Sequence, residues 1–304
     1  MSLVEPTAIA PAEHDRSRLR VFLSALIADR IASVSLIIFL CIAFVAVFAP
    51  WIAPTDPYDL VTLNILDNRL PPGSVGMDGT VYWLGTDGQG RDLLSAIMYG
   101  LRVSLLVAFV SGVIGLAIGL SLGLLSGYVG GRTDTVIMRI VDLQLSFPTI
   151  FIALLILALF GRGVDKVIIA LIIVQWAYYC RAARAAAMVE SRKEYIEAAQ
   201  ALKLGPVRII LRHLLPNCLP PVLVVATIQI AASIAIEATL SFLGLGVPPT
   251  EPSLGRLISN GFQFTMSGQH WISVFPGLAL LITIASINLV GDRVRDLLNP
   301  RLQR

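Results

Sequence analysis

Glu194-Tyr195-Ile196-Glu197-Ala198-Ala199-Gln200-Ala201-Leu202-Lys203-Leu204-Gly205-Pro206, continuing to Leu215-Pro216-Asn217, is a polar stretch set between two long hydrophobic runs. Tyr195, Ala198, Ala199 and Leu202 recur at i, i+3, i+4 and i+7, which predicts one face of a short helix. That face is made mostly of small side chains, so another surface could approach it closely. Glu194 and Glu197 stand early, where the helix dipole favours acids. Gly205-Pro206 is expected to break the helix, with a second one over Val207–Leu214, and Leu215-Pro216-Asn217 to mark re-entry into apolar surroundings. On pattern alone the stretch is an amphipathic connector.

The rest of the chain says what it connects. Of 304 residues, 56% are hydrophobic and 14% charged, with a mean hydropathy of +0.79. Soluble domains carry about 25% charged residues. A bilayer core takes about 20 apolar residues per helix. Six such runs are expected: Ile31–Ile52, Val103–Tyr128, Val136–Phe160, Val164–Tyr179, Leu219–Leu245 and Trp271–Val290. The fold class is therefore an all-α integral membrane protein, with 31–304 as the transmembrane domain. Residues 1–30 read as a polar tail. Leu19, Phe22, Leu23, Leu26 and Ile27 within it have the spacing of a short helix on the membrane surface. No cleavable leader is expected, because the first apolar run is too long for one.

Six spans put both ends on one side. Of the 23 lysines and arginines, 17 fall in the segments that share a side with the N-terminus. That bias predicts cytoplasmic ends, a cytoplasmic loop at about 193–216 and an external loop at about 53–102. Gly115, Gly119, Gly123 and Gly127 lay a smooth stripe along span two, the pattern that lets helix backbones approach in lipid. Pro148 lies inside the predicted third span and is expected to kink it.

No catalytic constellation is evident. His14, His213 and His270 are scattered, and neither an HExxH nor a GxSxG motif occurs. No Gly-Lys pair exists, so a P-loop is excluded and ATP cannot bind in the Walker manner. Cys41, Cys180 and Cys218 lie in or beside apolar runs and read as small buried hydrophobes. Gly85-Thr86-Asp87-Gly88-Gln89-Gly90 is glycine-rich, but is not expected to lead from a strand into a helix, so it is a poor phosphate cradle. No cofactor or metal site is expected in this chain. The net charge of +3 gives no nucleic-acid partner. Glu237 is the acid set well inside a span, where a charge costs roughly 2.5–3.5 kcal/mol. It is a candidate gate or pathway residue, or a hydrogen-bonded structural acid.

Glu197-Ala198-Ala199 followed by Leu214-Leu215-Pro216-Asn217 resembles the EAA loop of ABC-importer permeases, lying between spans four and five as in that family. Leu84-Gly85-Thr86-Asp87 with Gly90-Arg91-Asp92, and Gly100-Leu101-Arg102-Val103-Ser104, are similar to the segment before span two in the C-type subunit of dipeptide/oligopeptide permeases. Glu237–Gly246 resembles the end of its fifth span. Phe275-Pro276-Gly277-Leu278, Asn288–Asp292 and Arg295-Asp296-Leu297 resemble its sixth span and tail. The likeness runs from about residue 30 to the end. It implies a type I importer permease whose coupling loop (Tyr195, Glu197, Ala198, Ala199, Leu202, Gly205, Pro206) sits in a cleft of an ATPase. It also implies a homologous second permease, two ATP-binding subunits that hold ATP and Mg, and a periplasmic or extracellular solute-binding protein. The setting would be a bacterial inner membrane, and the chain itself no enzyme.

The family usually has glycine where Lys203 stands, so the coupling turn is expected to shift to Gly205-Pro206. Leu254 and Arg293 stand where the family often has tryptophan and glycine. Peptides or peptide-like solutes are the expected cargo, with glutathione, opine and nickel-chelate importers sharing the motifs. An ion-coupled transporter using Glu237 is the rival from another class.

Overall fold

The computed structural model describes residues 29–57, 59, 64–248 and 250–298. The tail and the surface helix expected over Leu19–Ile27 lie outside the described residues.

Helix α1 (Arg30–Ile52) starts at Asp29, whose carboxylate accepts from the Ile31 and Ala32 amides at 2.9 and 3.3 Å. An N-cap of this kind is worth about 1 kcal/mol. Pro50 lies in its last turn, and the helix stops two residues on. Only small residues of α1 are buried, namely Ala32, Ser35, Ala46 and Ala49. Its large side chains, Ile37, Leu40, Phe44 and Trp51 among them, point outward. An apolar exterior is the expected solution where the surrounding solvent is lipid tail.

The segment from 64 to 92 folds on itself. Strands β1 (Ser74–Val75) and β2 (Val81–Tyr82) pair antiparallel, Ser74 opposite Tyr82. Thr86 Oγ donates to the Asp67 carbonyl at 2.6 Å and accepts from the Leu70 amide at 2.7 Å. Gly85 and Gly90 both have φ near +80°, and a Cβ there would lie 2.4 Å from the Leu70 carbonyl and 2.5 Å from that of Asn64. Only glycine fits. Contrary to expectation, this glycine-rich loop does run from a strand, β2, into a helix, α2 (Leu93–Val129). It still offers no phosphate site. Asp87 Oδ1 already accepts from the Gln89 and Arg91 amides at 2.8 and 3.0 Å, taking donors that an anion would need. Burial pushes the Asp87 carboxyl above its ordinary range, opposed by those two amides. Asp92 caps α2 through the Ser95 amide, and Ser95 Oγ accepts from the Thr55 amide at 3.1 Å, fastening the end of α1 to the start of α2.

Helix α2 begins ten residues before the span expected at Val103. Gly115, Gly119, Gly123 and Gly127 do face a neighbour, α5 (Val164–Glu190). A Cβ at Gly119 would stand 2.4 Å from the Trp176 carbonyl, and at Gly123 2.5 Å from that of Cys180. Ala183 and Ala187 supply the matching small face. The seam is a glycine–alanine contact at nearly backbone distance.

The third span differs from expectation. It is two helices, α3 (Gly131–Leu145) and α4 (Thr149–Phe160), bent by 86°. Pro148 is the N-cap of α4 rather than a kink inside one helix. A proline lacks the amide that would continue α3, and it biases Phe147 away from the helical region. The pair still counts as one crossing. Asp29, before α1, lies 3.7 Å from Arg293, late in α10 (Trp271–Leu298), so both ends of the bundle helices meet at one end. That requires an even number of crossings, and five long helices plus the bent pair make six. The arginine standing where the family often has glycine is thus half of this closing contact.

Helix α5 continues eleven residues past the expected Tyr179. After α6 (Glu194–Ala201) and α7 (Pro206–Ile209), one π-helical turn (Ile210–Leu214) runs directly into α8 (Leu215–Phe242). Leu215-Pro216-Asn217, expected to mark re-entry into apolar surroundings, opens this helix. The wide turn, in which the Leu215 amide reaches back to the Ile210 carbonyl, delivers the chain to Pro216 without a stop. A further helix, α9 (Leu254–Phe262), lies between α8 and α10 and was not expected. Its Leu254, Gly255, Leu257 and Gly261 are buried, and a Cβ at Gly255 would stand 2.1 Å from the Ala238 carbonyl. Leu254 is wholly enclosed, close to Gly100, so leucine fills the position where the family often has tryptophan.

Candidate functional site

The basic end of the bundle carries the polar stretch. Arg184 bridges to Asp134, with Nη2 to Oδ2 at 2.7 Å, and Ser126 Oγ donates to the same carboxylate, joining α2, α3 and α5. Arg181 pairs with Asp142 at 2.6 Å. Helix α6 lies against this end. Ile196 and Ala199 are buried at 0% and 5% exposure among Leu124, Ala187, Ile209, Leu214 and Cys218.

That placement corrects the expected helix face. Tyr195, Ala198 and Leu202 are exposed, Leu202 at 76%, while Ala199 points into the bundle. Glu197 is exposed beside Ala198. Three of the four residues expected on the approachable face are outward, and Ala199 alone turns inward. Ile196, the one large aliphatic side chain within the helix, sets its inward side.

Three polar groups fix the helix in place. The Tyr195 hydroxyl donates to the Glu190 carboxylate at the end of α5, Lys193 pairs with Glu190 at 2.7 Å, and Asn217 Nδ2 donates to the Tyr195 hydroxyl at 3.1 Å. Burial, and then the bond to Glu190, hold the Tyr195 phenol well above its usual pKa. One side chain thus links α6 to both α5 and α8. Glu190 and Asn217 were not among the expected site residues. The Leu-Pro-Asn signal was visible in the sequence, but its asparagine was read as a boundary.

The turn after α6 is also corrected. The Leu204 amide reaches the Ala199 carbonyl at 3.1 Å and the Lys203 amide that of Gln200 at 2.8 Å. This is a Schellman closure, with Lys203 at the position that usually takes a left-handed glycine. Lys203 has φ +53°, while Gly205 is extended at φ −63° and Pro206 opens α7. The turn that closes α6 therefore stays at residue 203, and the lysine bears the strain. Replacing it with glycine, Lys203→Gly, is expected to stabilise the folded chain by about 1 kcal/mol. The melting temperature should rise by about 2–4 °C; a fall would mean that residue 203 is not left-handed.

Glu237 lies far from this end. Twenty residues of α8 separate it from Asn217, about 30 Å of helix. Its side chain is wholly enclosed. Ser104 of α2 donates to Oε2 at 2.7 Å and Ser241 to Oε1 at 2.8 Å, and Ser253, the N-cap of α9, bonds the same carboxylate. The structure therefore does not bring Glu237 and the 193–216 loop together. Midway along the bundle, Gln175 donates to Ser233 at 2.6 Å and stands 3.4 Å from Ser111, a buried link among α2, α5 and α8 that sequence reasoning missed. Among the described residues, no group of three or more His, Cys, Asp or Glu could hold a metal ion.

The described residues form a bundle of six crossings with a short helix seated outside its basic end, and the comparisons place it among type I importer permeases. A family model described as "Binding-protein-dependent transport system inner membrane component" matches residues 119–304, and one described as "N-terminal TM domain of oligopeptide transport permease C" matches residues 17–72. The Di/tripeptide transport system permease protein DppC of Pseudomonas aeruginosa is 36% identical over 98% of this chain and 96% of its own length. The Dipeptide transport system permease protein DppC of Escherichia coli K12 is 40% identical over 90% of each. An inward-facing MetNI methionine ABC transporter structure aligns at a TM-score of 0.55 and 24% identity, over 67% of this chain and 97% of its own. The chain belongs to the binding-protein-dependent transport permeases. It is a multi-pass permease subunit of an ABC importer, and a component of a larger transport system.

Proposed function

We propose that this chain is one of two homologous permease subunits of a bacterial inner-membrane importer for dipeptides or similar small peptides. Two separate ATP-binding subunits drive it, and an external solute-binding protein feeds it. The cargo class is taken from the names of the relatives. The charge bias supports placing the basic end in the cytoplasm and the folded segment 53–102 outside.

The observation that carries the mechanism is the seating of α6. Tyr195, Glu197, Ala198 and Leu202 are outward, where an ATPase cleft could hold them, while Ile196 and Ala199 key into α2, α5 and α8. ATP and Mg belong to the partner subunits in this reading. Closure of the ATPases presses on the outward face. The Tyr195 bonds to Glu190 and Asn217 then pass that motion to the ends of α5 and α8. The free energy comes from the partner, and the bundle shifts between inward-facing and outward-facing populations.

Mass spectrometry of material that co-purifies with the chain after mild extraction tests this directly. A second permease and two P-loop ATPases are expected, together with peptide uptake when the set is reconstituted with its binding protein. A chain that purifies alone and still drives uptake would overturn the proposal.

A further inference from the structure

A groove of about 340 Å³ runs along the outer surface where α1 meets α2, near the end of the bundle opposite α6. Ala43, Ala46 and Val47 of α1 face Arg102, Leu105 and Phe109 of α2 across it. The groove exists because α1 presents alanines there. On its exposed side the same helix stacks Phe44 on Phe48 and Phe48 near Trp51, with centroids 4.6 and 5.5 Å apart. Trp51 is 75% exposed. An outward aromatic cluster ending in tryptophan marks the boundary between hydrocarbon and headgroups. Val47 lies one turn below it and Ala43 two, about 6 and 12 Å into the apolar layer.

Arg102 is the one charged group lining this groove. It is exposed, and among the described residues no carboxylate lies within ion-pairing distance of it. A lone guanidinium at the rim of hydrocarbon keeps its stem in the apolar groove and lifts its head toward the headgroups. There it needs an anion. Guanidinium pairs with phosphate through two parallel hydrogen bonds.

We propose that this groove is a phospholipid site, with the lipid phosphate on Arg102 and an acyl chain laid between α1 and α2 along Ala43, Ala46 and Phe109. One cation above an apolar channel of this depth matches the one anion and long chain of a diacyl phospholipid. The occupant is a lipid from the leaflet at this end of the bundle, and it fills space that the small residues of α1 leave open. The site depends on the packing of α1 and α2 and not on the transport reading above.

The test uses the chain purified with whatever subunits accompany it. The probe is phosphatidylglycerol carrying a photoreactive diazirine on its acyl chain, and the control is the matching diacylglycerol, which lacks the phosphate. Illumination should label peptides spanning residues 43–47 and 102–109. Arg102→Gln should lower that labelling about fivefold, the loss expected for one basic contact at a membrane surface. Arg102→Lys should retain most of it, and the diacylglycerol control should label at the Arg102→Gln level. Ala43→Leu, which fills the groove without touching the charge, should also reduce labelling. Equal labelling of wild type and Arg102→Gln would overturn the proposal. So would crosslinks showing that a second permease subunit covers the groove. Either result leaves the importer reading untouched, because neither is read through uptake.

Discussion

Gly123→Leu is expected to abolish recovery of folded chain from detergent-solubilised membranes. The reason is distance. A Cβ at position 123 already stands 2.5 Å from the Cys180 carbonyl and 2.6 Å from the Ala183 Cβ, both parts of a helix that cannot move aside alone. Overpacking a well-filled interior costs typically 1–3 kcal/mol, and here backbone meets side chain, so the cost should exceed that range. The damage spreads, since α5 also carries Gln175, Arg184 and Glu190, which tie it to α8, α3 and α6. Size-exclusion chromatography and thermal melting read the outcome. Gly115→Ala supplies the contrast. Its Cβ would meet Gln175 and Tyr179 at an ordinary 3.5 Å, so it should fold like wild type. A well-folded Gly123→Leu protein would show that α2 and α5 do not meet along this stripe.

The second large effect separates two neighbouring alanines. Ala198→Glu should fold normally, hydrolyse ATP in the reconstituted assembly and lose coupled uptake, at least about tenfold, which is about 1.4 kcal/mol of lost coupling. The new charge stands on the outward face with Tyr195 and Leu202, where the proposed ATPase contact lies. Ala199→Glu should fail earlier, as unfolded or aggregated protein. Its side chain would enter the cluster of Ile196, Leu124, Ile209 and Leu214, where an unpaired charge costs several kcal/mol. Measuring melting, ATPase rate and uptake for both variants distinguishes the two fates. Normal coupled uptake by Ala198→Glu would sink the coupling assignment. A stable Ala199→Glu protein would reverse the phase of the helix.

The phase of α6 shows how sequence and structure divide the information. Spacing within the stretch gave its helical period, because 3.6-residue repetition survives in one dimension. Which side of an eight-residue helix turns inward depends on what lies beneath it, and that is set by Leu124, Ala187 and Leu214 from three distant segments. Lys203 shows the same limit. A lysine carries no turn signal, so the break was read at Gly205-Pro206, yet the backbone closes at 203 through bonds to Ala199 and Gln200.

Composition, the six apolar runs and the glycine stripe were sufficient by themselves for an all-α membrane protein, and the Glu-Ala-Ala and Leu-Pro-Asn motifs carried the resemblance that implied an importer permease. Each is a local property: hydrophobic length, side-chain size, residue order. The tertiary structure alone decided the rest. It set the angle of the bend expected at Pro148 to 86°, ran α7 into α8 through one π turn, and packed α9 against Ala238. It also enclosed Glu237 with serines from two other elements and joined Tyr195 to Glu190 and Asn217. The enclosure of Glu237 and the seating of α9 rest on contacts between distant residues, 133 positions apart for Ser104 and Glu237, which no spacing along the chain can encode.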